Sequence, residues 1–229
     1  MKPWLKREWC IPTVGAEYVA AMEDILDLYA EPPDPQRPRV CSDEVPKQLI
    51  AETRQPLPAH PGQPERFDYE YRRNGTCYLF MFIDPDASWR HVPVTDRRTK
   101  VDFAQQVKWL ADERYPTAAR IRVVLDNLNT HRPAALYEAF PPDEARRILR
   151  RLEFHSTPKH GSWLNLAELE ISVFSRQCWD RRIPDIDTLQ RETLALENER
   201  NAAHATIHWH FTCQEARVRM AHVYPPKAA

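Results

Sequence analysis

The chain has 229 residues, a formal net charge of −1, 42% hydrophobic and 10% aromatic residues. Those values suit one well-buried core with a small appendage, exclude a disordered chain, and leave no apolar run long enough for a membrane span. Near-neutral charge argues against DNA binding by the whole surface but allows a local basic path, and 4 glycines form neither GxGxxG nor GxxxxGK[ST], so a nucleotide cofactor is not expected.

In chain order, Tyr18, Val19, Met22, Ile25, Leu26 and Tyr29 form one apolar stripe, which predicts an amphipathic helix over 16–29. The proline-rich stretch 31–38 cannot continue a helix and reads as a stiff linker. Residues 1–38 are accordingly expected to be a helix and linker, with the main domain over 39–229. A short strand is predicted at 39–43, then a long loop or irregular hairpin over the proline-rich 46–75. The apolar run 76–83 is a strong strand, and 84–88 is a turn leading to a strand at 89–94. Val101, Ala104, Val107 and Leu110 set a helix over 100–111. The β-branched run 121–126 is a strand ending in a carboxylate. Helices follow at 134–140 and 142–152, a strand at 153–156, and helices at 165–179, 187–202 and 212–222. This order predicts an α/β fold, a mixed five-stranded sheet flanked by helices.

Five cysteines are scattered without a CxxC pair, which argues against a disulfide framework or a cysteine-rich zinc site. Cys41 and Cys77 read as small packed hydrophobes. The first residues lack a secretory apolar stretch, so a cytoplasmic protein is expected.

Asp43 and Asp126 both end predicted strands, and ligand sites in α/β sheets gather at strand carboxyl ends. Glu168 lies in the first turn of the helix after Asn165. Glu170 is two helical positions further and points away, so at most one of the two joins a site. Three converging carboxylates repel one another unless a cation neutralises them, and hard oxygen ligands suit Mg²⁺ or Mn²⁺. Two such ions about 3.5–4 Å apart can clamp the attacking and leaving oxygens of a phosphoryl displacement. Each carboxylate also has a plainer reading: Asp43 as a loop residue, Asp126 as a turn starter, Glu168 as half of a capping box with Asn165.

The wording around the carboxylates narrows the choice. Val124-Leu125-Asp126-Asn127-Leu128-Asn129-Thr130-His131 resembles the second-aspartate motif of DDE transposases. Thr157-Pro158-Lys159-His160-Gly161-Ser162-Trp163-Leu164-Asn165-Leu166-Ala167-Glu168 resembles their final motif, and Val40-Cys41-Ser42-Asp43-Glu44 their first. The chain is thus similar, over nearly its whole length, to the DDE superfamily transposase and endonuclease catalytic domains of bacterial insertion sequences related to mariner. The resemblance implies an RNase H-like fold, a triad of Asp43, Asp126 and Glu168, and two Mg²⁺ ions for which Mn²⁺ can substitute. It implies cleavage at transposon ends, strand transfer into target DNA, double-stranded DNA as partner, and a homodimer in synapsis. No membrane partner is expected, and the location would be cytoplasmic, at the nucleoid when DNA is bound. Asn127, His131, Lys159, His160 and Asn165 are candidates to orient metal ligands or phosphates, and Arg97 and Arg98 to bind DNA. Trp163 is expected to anchor the core.

Two departures stand beside the resemblance. Residues 1–30 are too few for the family's helix-turn-helix region, so a truncated copy or a frameshift partner is expected. The interval from Asp126 to Glu168 is also long for mariner relatives. An alternative function is therefore a catalytically silent DNA-binding or oligomerising remnant; another is a resolvase-like metal nuclease. Arg146, Arg147, Arg150 and Arg151, with Arg181 and Arg182, form either a phosphate path or solvated faces. His208 and His210 would share one face of a strand near His204, a zinc reading that lacks a fourth ligand.

Overall fold

The computed structural model describes residues 15–126 and 131–225. A mixed sheet runs through the middle of the molecule, in the order β3-β2-β1-β5-β6, with β4 pairing with β2. The strands are β1 (Arg39–Glu52), β2 (Tyr71–Asp84), β3 (Trp89–His91), β4 (Val94–Thr95), β5 (Ile121–Leu125) and β6 (Leu152–Ser156). β1–β2, β2–β3 and β2–β4 are antiparallel, whereas β1–β5 and β5–β6 are parallel.

Strand alternation divides the apolar residues between two cores. Val40, Phe80, Phe82, Ile121, Val123 and Leu125 face one side. They pack against α2 (Lys100–Trp109), α3 (Ala134–Ala139) and α4 (Pro142–Leu149). Cys41, Cys77, Leu79, Met81, Ile83 and Val124 face the other. That side is covered by α1 (Ala16–Ala30), α5 (Leu166–Phe174), α6 (Ile186–Ala202) and α7 (Cys213–Arg219). Helix α1 buries Met22, Ile25, Leu26 and Leu28, so the expected amphipathic helix packs as part of the domain. The stretch after it is fixed too: Arg122, 1% exposed, donates to the Arg37 carbonyl and pairs with Glu31. Two of the helices loosen at their ends, α2 into a π turn at Leu110–Arg114 and α5 into another at Ser175–Trp179.

The sheet has six strands where five were expected, because Pro93 interrupts 89–94. Proline has no N–H for the ladder, yet its carbonyl accepts from Phe80 at 3.0 Å, so the flanking residues pair separately with β2. β1 is also far longer than the predicted 39–43, running through Pro46 to Glu52. The parallel ladder with β5 covers only Arg39 to Cys41. Beyond it β1 pairs on one side alone, and a proline there costs no ladder bond. The expected long loop shrinks to 53–70, with isolated bridges at Leu57–Arg66 and His60–Gln63. The stretch 205–212 is neither strand nor helix, so the paired-histidine strand is not formed. Cys41, Cys77 and Cys178 are buried free thiols, and Cys213 is a free thiol as well. No helix among the described residues is long and apolar enough to cross a membrane.

Candidate active site

The parallel register brings the two aspartates together. Cys41 pairs with Val124, and both belong to the core beneath α5. Asp43 lies two residues further along β1 and Asp126 directly follows the last residue of β5, so both sit at the same end of this parallel pair. Asp43 does not end its strand; it lies where β1 parts from β5.

Glu168 arrives from α5. Asn165 caps this helix by accepting from the Ala167 N–H at 3.1 Å. Its amide also donates to the Ser42 carbonyl at 2.9 Å and approaches Asp43 Oδ2 at 3.4 Å. One buried side chain therefore starts the helix and ties that start to β1. The turn before it depends on Gly161, where a Cβ would lie 2.5 Å from Pro158 Cγ. Asp43, Glu44, Val45, Glu168, Ile171 and Ser172 line a cleft of about 320 Å³. Glu170 points the other way, fully buried, and pairs with Arg90 at 2.8 Å and Arg200 at 2.7 Å.

The electrostatics record the convergence. Burial, followed by the charges of Asp126 and Glu168, raises the Asp43 carboxyl to about 7, against the opposing Glu44 N–H bond and His131. His131 Nδ1 lies 2.6 Å from Asp126 Oδ1 and Nε2 lies 3.1 Å from Glu44 Oε2. Its ring rests on Phe103 at 4.6 Å. Burial opposes the charged imidazole, but the bonds to Asp126 and Glu44 prevail and raise it to about 9. Both ring nitrogens then carry protons and donate at neutral pH.

Three carboxylates that repel one another on one face form a donor set suited to a hard divalent cation. Among the described residues, no three His, Cys, Asp or Glu side chains are already gathered to hold a metal ion.

The remaining expected residues are dispersed. Lys159 and His160 lie exposed on the turn after β6, His160 with a left-handed φ of 65°. Leu125 pairs with Ser156, which puts this turn at the sheet end that carries Asp126. Arg98 reaches Glu44 at 3.2 Å and covers the Tyr78 ring, while the neighbouring Arg97 is exposed. Asn127 falls outside the described residues. Trp163 is not a core anchor: it is 37% exposed and stacks with Trp209 at 6.1 Å. Much of the basic run is structural. Arg147 pairs with Asp112 and Glu144, Arg151 donates to the carbonyls of Ala111 and Ala118, Arg181 pairs with Glu192, and Arg182 pairs with Glu52. His208 and His210 stack on each other at 6.5 Å. Glu44 had no sequence signal beyond standing next to Asp43.

Solved structures of similar architecture include a Mos1 mariner paired-end complex with Mn, at a TM-score of 0.56 and 14% identity. Another is a Mos1 transposase paired-end complex with the left transposon end, at a TM-score of 0.52 and 16% identity. Each match covers 87% of this chain and 61% of the other, so the chain spans about three fifths of the length of those proteins. These likenesses establish the fold as RNase H-like. No curated protein sequence matches significantly. Residues 38–190, which contain Asp43, Asp126 and Glu168 and every strand of the sheet, match the model of the DDE superfamily endonuclease, and the chain belongs to that family.

Proposed function

We propose that the chain is the catalytic domain of a transposase, cutting DNA strands at transposon ends and joining the exposed 3′-hydroxyl to target DNA. One observation carries the reading. Asp43 on β1, Asp126 just past the end of the adjacent parallel β5, and Glu168 in the first turn of α5 lie near enough for the charges of Asp126 and Glu168 to act on Asp43. Asp43, Asp126 and Glu168 would hold the divalent cations, two Mg²⁺ ions with Mn²⁺ as substitute. When bound, such ions lower the pKa of water and neutralise charge developing on a phosphate. The rest falls to the protein: Asn165 holds α5 against β1, and the buried imidazole of His131 holds Asp126 through Nδ1.

Double-stranded DNA is the proposed substrate, supported by structural neighbours that are themselves transposase complexes with transposon ends. Exposed Lys159, His160 and Arg97 are proposed to meet the DNA backbone, and two copies to act together in the cytoplasm at the nucleoid.

The test is Mg²⁺- or Mn²⁺-dependent nicking of labelled duplex DNA by the purified chain, beside Asp126→Ala. Cleavage that falls by at least roughly 100-fold in the folded variant supports the reading. Cleavage unchanged in Asp126→Ala sinks it. A wild-type chain that binds DNA but never nicks it favours the silent remnant.

A further inference from the structure

Glu44 touches one aspartate directly and reaches the other through His131. Its backbone N–H donates to Asp43 Oδ1 at 2.8 Å. Its side chain, 2% exposed, meets His131 Nε2 through Oε2 at 3.1 Å, and the other ring nitrogen, Nδ1, lies 2.6 Å from Asp126 Oδ1. Arg98 contacts the remaining Glu44 oxygen at 3.2 Å. Arg98, Glu44, His131 and Asp126 thus form one continuous hydrogen-bonded chain, with the His131 ring seated on Phe103.

Both Glu44 oxygens are engaged, one by the His131 ring and the other by Arg98, which makes the residue a poor candidate for a third metal-binding acid and a good one for an anchor. Imidazole is rigid: with one nitrogen held by Glu44, the other can reach only a small arc. We propose that Glu44 is a positioning residue, which holds His131 so that the imidazole fixes Asp126 in the orientation required for divalent-cation binding. The proposal rests on the reading of Asp126 as a metal-binding residue. Partners that orient metal-binding groups are typically worth about 10–100-fold in metal affinity.

Mn²⁺ alone is the probe, with free Mn²⁺ measured by electron paramagnetic resonance and folding checked by circular dichroism. Glu44→Ala is expected to weaken binding roughly 10–100-fold. Glu44→Gln keeps an oxygen able to accept from His131 and is expected to recover most of that loss. Glu44→Ala combined with His131→Ala is expected to bind no worse than the weaker single variant, because the two act through one linkage. Three outcomes overturn the proposal: losses that add in the double variant, a Gln variant as damaged as Asp126→Ala, or a folded Glu44→Ala chain that binds like the wild type while Asp126→Ala loses Mn²⁺. If Asp126→Ala itself binds Mn²⁺ like the wild type, the metal-site reading fails, and this proposal fails with it.

Discussion

Asp43 makes the cation-free chain sensitive to pH. Its carboxyl holds a proton to about 7 when folded, whereas an ordinary aspartate releases it near 3.8. Between those values the unfolded chain binds fewer protons, so this residue's contribution to stability is lost as pH rises towards 7 and stays lost above it. In EDTA, Asp43→Asn should therefore melt higher than the wild type at pH 8, with the gap closing towards pH 4. A gap of constant size across that range would show that burial and neighbouring charge do not govern Asp43. Mg²⁺ should raise the melting temperature of the wild type and leave that of the variant in place. The sequence offered Asp43 as the end of a predicted strand and through its place in a motif. Its raised pKa comes first from burial, with the Asp126 and Glu168 carboxylates adding to it, and all three need residues far along the chain to be folded around it.

Helix α5 shows what one cap does for an element. Asn165→Ala removes both the cap on Ala167 and the bond to Ser42. It should lower unfolding free energy by about 1–2 kcal/mol in urea titration and weaken Mg²⁺-dependent nicking through displacement of Glu168. A loss of stability with full activity would detach the cap from the site. A second link joins α4 to the end of α2: Arg147 holds Asp112 at 2.7 Å, and Lys108 bridges Asp112 and Glu144. Hydrogen bonds from Arg147 and Lys108 bring the Asp112 carboxyl down to about 2 despite partial burial. Its stabilisation is present above about pH 4 and lost as pH falls towards 2. Asp112→Asn should flatten that part of the acid limb, and salt near 1 M should erode it because the group is partly exposed. An acid limb unchanged in the variant would remove Asp112 from the account. Neither link follows from helical periodicity, which identifies apolar stripes and says nothing of which surface charges meet.

Across the whole molecule, Glu168 and Glu170 divide the work of α5. Glu168 faces the cleft, and Glu170 joins β3 to α6 through Arg90 and Arg200. Arg90 and Glu170 are both fully buried, so removing the carboxylate strands a buried guanidinium. Glu170→Ala should cost about 3–5 kcal/mol of stability. Glu168→Gln should change stability by about 0.5 kcal/mol or less while abolishing nicking. Equal destabilisation of the two variants by calorimetry would contradict this division. The opposite directions of the two side chains were readable from helix geometry, two residues being about half a turn. Which one faces the cleft and which pairs inside the fold was decided by the positions of Arg90 and the aspartates.

Local rules in the sequence determined the apolar run of 76–83, the β-branched run of 121–126 and the stripe of α1. The three motif segments also determined the family, because the wording around Asp43, Asp126 and Glu168 survives without reference to any contact. Tertiary structure decided the rest. Pairing on one side alone let β1 continue through Pro46, which local reading took as the entry to a loop. Packing of 205–212 as neither strand nor helix left Trp163 and Trp209 stacked at the surface and dissolved the histidine strand. The role of Glu44 needed the parallel register of β1 and β5, since only there does a residue beside the first aspartate meet the histidine that follows the second. Periodicity and propensity act over a few residues, whereas paired charges and strand register join residues far apart in the chain.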